Sequence, residues 1–253
     1  MFDLIDTITS AFYRNMIHDE RWRLWLSGLE LTLTVTFFAL LIGLLLGLTI
    51  AIIRVTYESS AKPNPILIIL DRLAKLYISI IRGIPMVVQL LVWALVILAA
   101  SRNSVLIASI AFGVNSGAYV SEVFRAGIAS IDRGQSEAGR SLGLSYGQTM
   151  VKVVLPQAIK SCLPAFGNEF IALLKETSIA GMAAITDVTQ IGNIIRGRTF
   201  DPTPLFFVAA IYLILVLFLE ALIRKMEKSL SKSDRSTGKP VAKLKRKGLA
   251  RND

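Results

Sequence analysis

Residues 37–53 read FFALLIGLLLGLTIAII, seventeen positions without a charge. An α-helix rises about 1.5 Å per residue and the hydrocarbon core of a bilayer is about 30 Å thick, so about twenty such residues cross it. Extended back to Trp25, the run is long enough for one crossing. Thr32, Thr34 and Thr36 lie near its start, where hydroxyls can bond back to the helix backbone. Gly43 and Gly47 stand four apart and share a helical face, a spacing that lets a second helix approach closely.

Outward from this run the pattern repeats. Apolar residues make up 53% of the 253 positions and gather in long stretches. The reading is an all-α polytopic bundle of about five transmembrane helices, over residues 25–53, 67–99, 105–129, 150–174 and 205–223. Pro63 and Pro65 mark the first turn. Arg82-Gly83-Ile84-Pro85 predicts a kink or unwound turn inside the second span, because proline lacks a backbone donor and clashes with the preceding turn. Pro156 and Pro164 interrupt the fourth, and residues 175–204 read as a weakly apolar connector.

The net charge of +10 is concentrated at the C-terminus. Residues 229–253 form a basic tail, read as disordered and cytoplasmic under the positive-inside bias rather than as a nucleic-acid arm. Five crossings then leave residues 1–24 outside and place 132–148 in the cytoplasm. Arg54, Lys62, Arg125, Arg133 and Arg140 agree with that orientation, whereas Arg14, Arg21, Arg23, Arg102, Arg196 and Arg198 stand against it. No removable leader is read at the N-terminus. The single cysteine, Cys162, excludes an internal disulfide and reads as a small buried residue. The single histidine, His18, leaves no metal-ligand cluster.

The cytoplasmic segment carries the most information. It reads Glu137-Ala138-Gly139, then Gly143 after three residues, then Val153 after nine, then Leu155-Pro156 after one. This resembles the EAA loop (Glu-Ala-Ala, three residues, Gly, nine residues, Ile, one residue, Leu-Pro) of permease subunits in bacterial ABC importers. Gly139 stands where the second Ala is usual and Val153 where Ile is usual. Three further motifs resemble the polar amino acid uptake permeases, the histidine/glutamine permease-like group: Arg82-Gly83-Ile84-Pro85 with Gln89-Leu90, Asn115-Ser116-Gly117-Ala118-Tyr119 with Glu122, and Gly167-Asn168-Glu169-Phe170 with Leu174-Lys175-Glu176.

That resemblance implies a MetI-like type I importer fold and a bacterial cytoplasmic-membrane location. It implies a subunit that moves a polar amino acid while a separate ATPase subunit dimer supplies the energy. A short helix bearing Glu137, Ala138, Gly139 and Gly143, followed by Leu155 and Pro156, would dock into that ATPase. A second permease subunit, identical or paralogous, would complete the pore, and an extracytoplasmic amino-acid-binding protein would deliver solute. The chain has no GxxxxGK[ST] phosphate loop, so ATP and Mg²⁺ are expected on the partner, with no catalytic residue and no cofactor here. A membrane enzyme or a non-transporting scaffold is the alternative reading; the enzyme lacks any His/Asp/Ser set or metal cluster.

Polar groups inside spans are costly and turn inward. Asn115, Tyr119 and Glu122, spaced four and three apart, share one face. With Ser116 they head the substrate-path candidates, followed by Ser79, Gln89, Asn168 and Glu169. Arg82 and Glu122 fall at similar predicted depth and are expected to pair, pinning two spans or lining the path. Ser79 and Gln89 flank the proline kink, where free backbone groups need partners.

Overall fold

The computed structural model describes residues 9–60 and 62–237, with side chains as far as Leu230. Among these residues it is built of helices and turns. Short turns over Tyr13–Ile17 and His18–Glu20 lead into α1 (Arg21–Ser59), which is followed by α2 (Pro65–Gly83) and α3 (Met86–Val92), the last extended by a π-helical turn, Trp93–Ile97. The central helix is α4 (Ser104–Ala129). Then come α5 (Arg133–Ser141), α6 (Tyr146–Thr149), a second π turn (Met150–Val154), α7 (Leu155–Glu176), a 3-10 stretch (Thr177–Ala183), α8 (Val188–Thr199) and α9 (Pro204–Thr237).

Helices α1 and α4 run parallel and nearly touch at the backbone. A Cβ on Gly43 would lie 2.7 Å from Ser116 Oγ, and one on Gly47 would lie 2.5 Å from Val120 Cγ1. From the other side, a Cβ on Gly113 would lie 2.6 Å from Ile42 Cβ. Only glycine leaves that room. Val35, Ala39, Ala108, Ala111 and Phe112 fill the N-terminal half of this contact with no exposed surface. Two thirds (67%) of the most apolar window of α4 is buried, against 6% for α9. Helix α9 instead turns Leu213, Ile214, Leu217 and Phe218 outward, as a helix bathed in lipid does.

Five crossings were expected; among the described residues three helices are long and apolar enough to cross a membrane by length and composition, over Thr9–Ser59, Ser104–Ala129 and Pro204–Leu230, and α2 with the helix from Met86 to Ile97 makes a fourth if the two count as one broken span. These two are bent by 107°, so the break expected at Arg82-Gly83-Ile84-Pro85 lies where the sequence placed it and is sharper than a kink. Pro85 caps α3 without a donor of its own, and Gln89 Nε2 donates to the carbonyls of Ile81 (2.7 Å) and Ile84 (2.8 Å) at the break. The expected fourth span, 150–174, is helical but not apolar enough by composition, since it carries Lys152, Lys160 and Glu169. It packs antiparallel to α4, with the Phe124 and Phe166 rings stacked 6.1 Å apart and Cys162 buried beside Gly127.

Residues 175–204 are an ordered cap rather than a plain connector. Asp187 is fully buried and caps α8, accepting from the N–H groups of Thr189 (2.9 Å) and Gln190 (3.0 Å) and from the Tyr212 hydroxyl (3.2 Å). Burial pushes its carboxyl above the usual aspartate range, against those donors. The Val188 N–H donates to Thr32 Oγ1 (3.3 Å), and Gly28 leaves room for Ile191, so α8 is tied to the start of α1. Residues 229–237, expected as the start of a disordered tail, continue α9 as helix, and the rest of the basic tail, beyond Thr237, lies outside the described residues.

The seam generates a stability prediction. Gly47→Ala forces Val120 to move in a packed contact and should cost about 1–3 kcal/mol, read as a lower melting temperature in detergent. Gly197→Ala, whose Cβ meets nothing, should not lower it.

Candidate functional site

The segment from Asp132 to Pro156 stands at the end of the bundle where α1 and α4 terminate. Asp132 accepts from the Gly134 N–H (2.7 Å) and starts α5. At the other end the Gly143 N–H donates to the Arg140 carbonyl (2.9 Å) and the Leu144 N–H to that of Gly139 (3.2 Å). This pair of bonds closes a Schellman motif, and it places Gly143 at φ 79°, a left-handed conformation that favours glycine. Ser145 and Gln148 then form a capping box that starts α6.

The departure of Gly139 from the expected Ala has a local cause. A Cβ there would lie 2.7 Å from Thr149 Cγ2, and Thr149 is itself buried. Gly147, close by in the same segment, meets nothing and keeps an ordinary backbone. Glu137, Ala138, Arg140 and Leu142 are exposed on the other side of α5, Leu142 to 82%. Pro156 lies in the first turn of α7, and the preceding turn is wound as a π-helix in which the Leu155 N–H reaches the Met150 carbonyl. A π turn moves the backbone register where proline would clash with the ordinary one.

The intramembrane polar residues separate into two groups. Ser116, fully buried opposite Gly43, donates to Glu169 Oε1 at 2.7 Å, so the third- and fourth-span candidates meet at mid-helix. Asn115 is buried beside them and Asn168 is exposed. The second group lies toward the coupling segment. There Glu122 is held by Arg54 and by Arg125 (3.0 Å), and Arg54 also faces Glu58 at 3.7 Å. The expected Arg82–Glu122 pair is therefore corrected. The Arg82 guanidinium lies 5.3 Å over the Tyr119 ring instead, a cation–π contact. The glycine seam brings α1, and with it Arg54, directly against α4 at Glu122, while Arg82 on α2 meets α4 one turn away. Ser79 is exposed on α2 and Gln89 serves the backbone break.

Sequence reasoning noted Arg54 as an inside charge and missed its partner. The signal was present as Arg54 and Glu58, an i,i+4 pair directly after a chargeless run. Asp187 gave a weaker one, as a capping residue before an apolar stretch.

Glu122→Gln should lower thermal stability by about 1–3 kcal/mol, below the loss for a fully buried pair and above that for an exposed one. Arg82→Gln should lower it much less, because Arg82 holds no carboxylate. Melting in detergent at neutral pH separates the two, and equal losses would restore the Arg82–Glu122 pair.

Comparison with known proteins agrees with this arrangement. The family model described as binding-protein-dependent transport system inner membrane component matches residues 43–232. The arginine transport system permease protein ArtQ of Bacillus subtilis is 35% identical over 213 residues, covering 83% of this chain and 93% of its own. A chain from the crystal structure of an amino acid ABC transporter with histidines superposes with a TM-score of 0.72 at 40% identity, covering 82% of this chain and 94% of that one. A chain of the methionine ABC transporter MetNI, inward facing, shares the fold at a TM-score of 0.73 and 21% identity, covering 85% and 99%. The matched region runs from the glycine seam of α1 through the coupling segment to the C-terminal turns of α9, and this chain belongs to the family of inner membrane components of binding-protein-dependent transport systems.

Proposed function

We propose that this chain is the permease subunit of an ABC importer for a polar amino acid, with α5 as the helix that receives force from a separate ATPase. The observation that carries this reading is the build of α5. It is short, capped at both ends, backed by Thr149 and exposed over Glu137, Ala138, Arg140 and Leu142. A rigid helix with an open face suits a lever better than a flexible loop does. Its end of the bundle faces the cytoplasm in this reading, with the N-terminus outside. The names of the relatives, for arginine and for amino acids, support the solute class.

The ATPase partner binds ATP and Mg²⁺, and a binding protein delivers solute at the end capped by α8. A second permease subunit, the same chain or a paralogue, completes the path. The Ser116–Glu169 pair is the candidate polar point within it, where a carboxylate can meet an α-amino group. The Arg54–Glu122–Arg125 group holds α1 to α4 below it.

The test uses the chain co-expressed with its ATPase partner in proteoliposomes. Gly143→Ala imposes about 1–2 kcal/mol of left-handed strain on the end of α5. It should reduce co-purified ATPase and solute-stimulated ATP hydrolysis while the spans keep their melting temperature. Gly139→Ala should do the same through Thr149, and Gly139→Ala with Thr149→Ala should restore both. ATPase binding and transport unchanged in Gly143→Ala and Gly139→Ala would remove α5 from coupling.

A further inference from the structure

A cleft separates the coupling segment from the adjoining end of α1. It has two lobes that share Val55, Ile128, Tyr146 and Met150. One lobe, about 300 Å³, is walled mostly by apolar groups, adding Ile52, Val151 and Leu155, with Thr56 as its one added polar side chain. The other, about 240 Å³, adds Ser59, Arg133 and Ser136 and has no acidic side chain in its wall. Ile52 (47%) and Val151 (62%) are exposed at the apolar lobe, so it opens where lipid chains lie. Among the described residues Arg133 and Ser136 have no hydrogen bond or ion pair, while the nearby Asp132 carboxylate is engaged by the Gly134 N–H.

We infer that this cleft binds an anionic phospholipid, with an acyl chain in the apolar lobe and the phosphate on Arg133 and Ser136. Two features select that occupant. The polarity changes from apolar to cationic over the length of a single cleft, which matches an amphiphile with a negative head and neither a bare anion nor an apolar solute. The site also sits at the helix ends, at headgroup depth, where a basic residue attracts anionic lipid. Assigning it to the inner leaflet rests on the orientation proposed above. Its place behind α5 means that bound lipid fills the space into which the coupling segment would move, so headgroup charge would tune the lever.

The test is native mass spectrometry of the purified full chain with phosphatidylglycerol, phosphatidylcholine or inorganic phosphate added in detergent. The wild type should retain phosphatidylglycerol over phosphatidylcholine. Arg133→Gln should cut that preference about fivefold, the value of one basic residue near a membrane surface. Val151→Trp, which fills the apolar lobe from an exposed position, should reduce retention of both lipids. Inorganic phosphate should not displace the lipid. Equal retention of the two lipids by the wild type, an equal loss in Arg102→Gln, or displacement by phosphate alone would each overturn the site. The measurement needs no ATPase, so a failure of coupling leaves it unaffected. Thiol labelling that placed residue 133 on the external face would withdraw the orientation while an Arg133-dependent preference still stood.

Discussion

The backbone contact between α1 and α4 is the constraint on which the rest depends. Gly43, Gly47 and Gly113 let two helices from distant parts of the chain lie side by side and parallel. Because lipid offers helices no hydrophobic driving force to associate, close packing and polar contacts must hold them. The seam supplies the packing, and the Arg54–Glu122–Arg125 group supplies a charged clamp at one end. Any larger side chain in the seam would open the gap that brings Arg54 to Glu122. The ion pairs are a consequence of the packing as much as a support for it.

From that rigid pair the other elements take their places. Helix α7 lies antiparallel against α4, fixed by the Phe124–Phe166 stack and the Ser116–Glu169 hydrogen bond. Helices α5 and α6 link α4 directly to α7, the two helices that bear the Ser116–Glu169 pair. At the opposite end, Asp187 and Val188 lock α8 onto Thr32 and Tyr212. The two ends of the bundle are thus built differently. One is an ordered cap stitched to its neighbours, and the other is a short capped helix standing over a cleft.

Much of this was readable from the residues. Long chargeless runs such as 37–53 set helix number and position within limits, and the glycine spacing at 43 and 47 announced a close contact. The coupling segment was legible because its capping and turn residues are local: Asp132, Gly143 and the Ser145–Gln148 box each act within a few positions. Three things were not legible. The 107° bend at Ile84–Pro85 depends on how α2 and α3 pack, and proline alone signals only a break. The partner of Glu122 was misassigned because similar depth was taken for pairing: Arg82 does reach α4, but one turn away over Tyr119, and Arg54 and Arg125 take the carboxylate. The cap over residues 177–199 joins Thr32, Asp187 and Tyr212, whose separation along the chain leaves no periodic trace.

The proposed role of α5 requires that it stand exposed on the cytoplasmic face. Replacing Glu137 with cysteine in a Cys162→Ala background places one thiol on its open side. A membrane-impermeant maleimide should label that thiol in inside-out vesicles and leave it unlabelled in right-side-out vesicles. Addition of the ATPase partner should protect it. Labelling in right-side-out vesicles would put α5 on the external face and contradict the account.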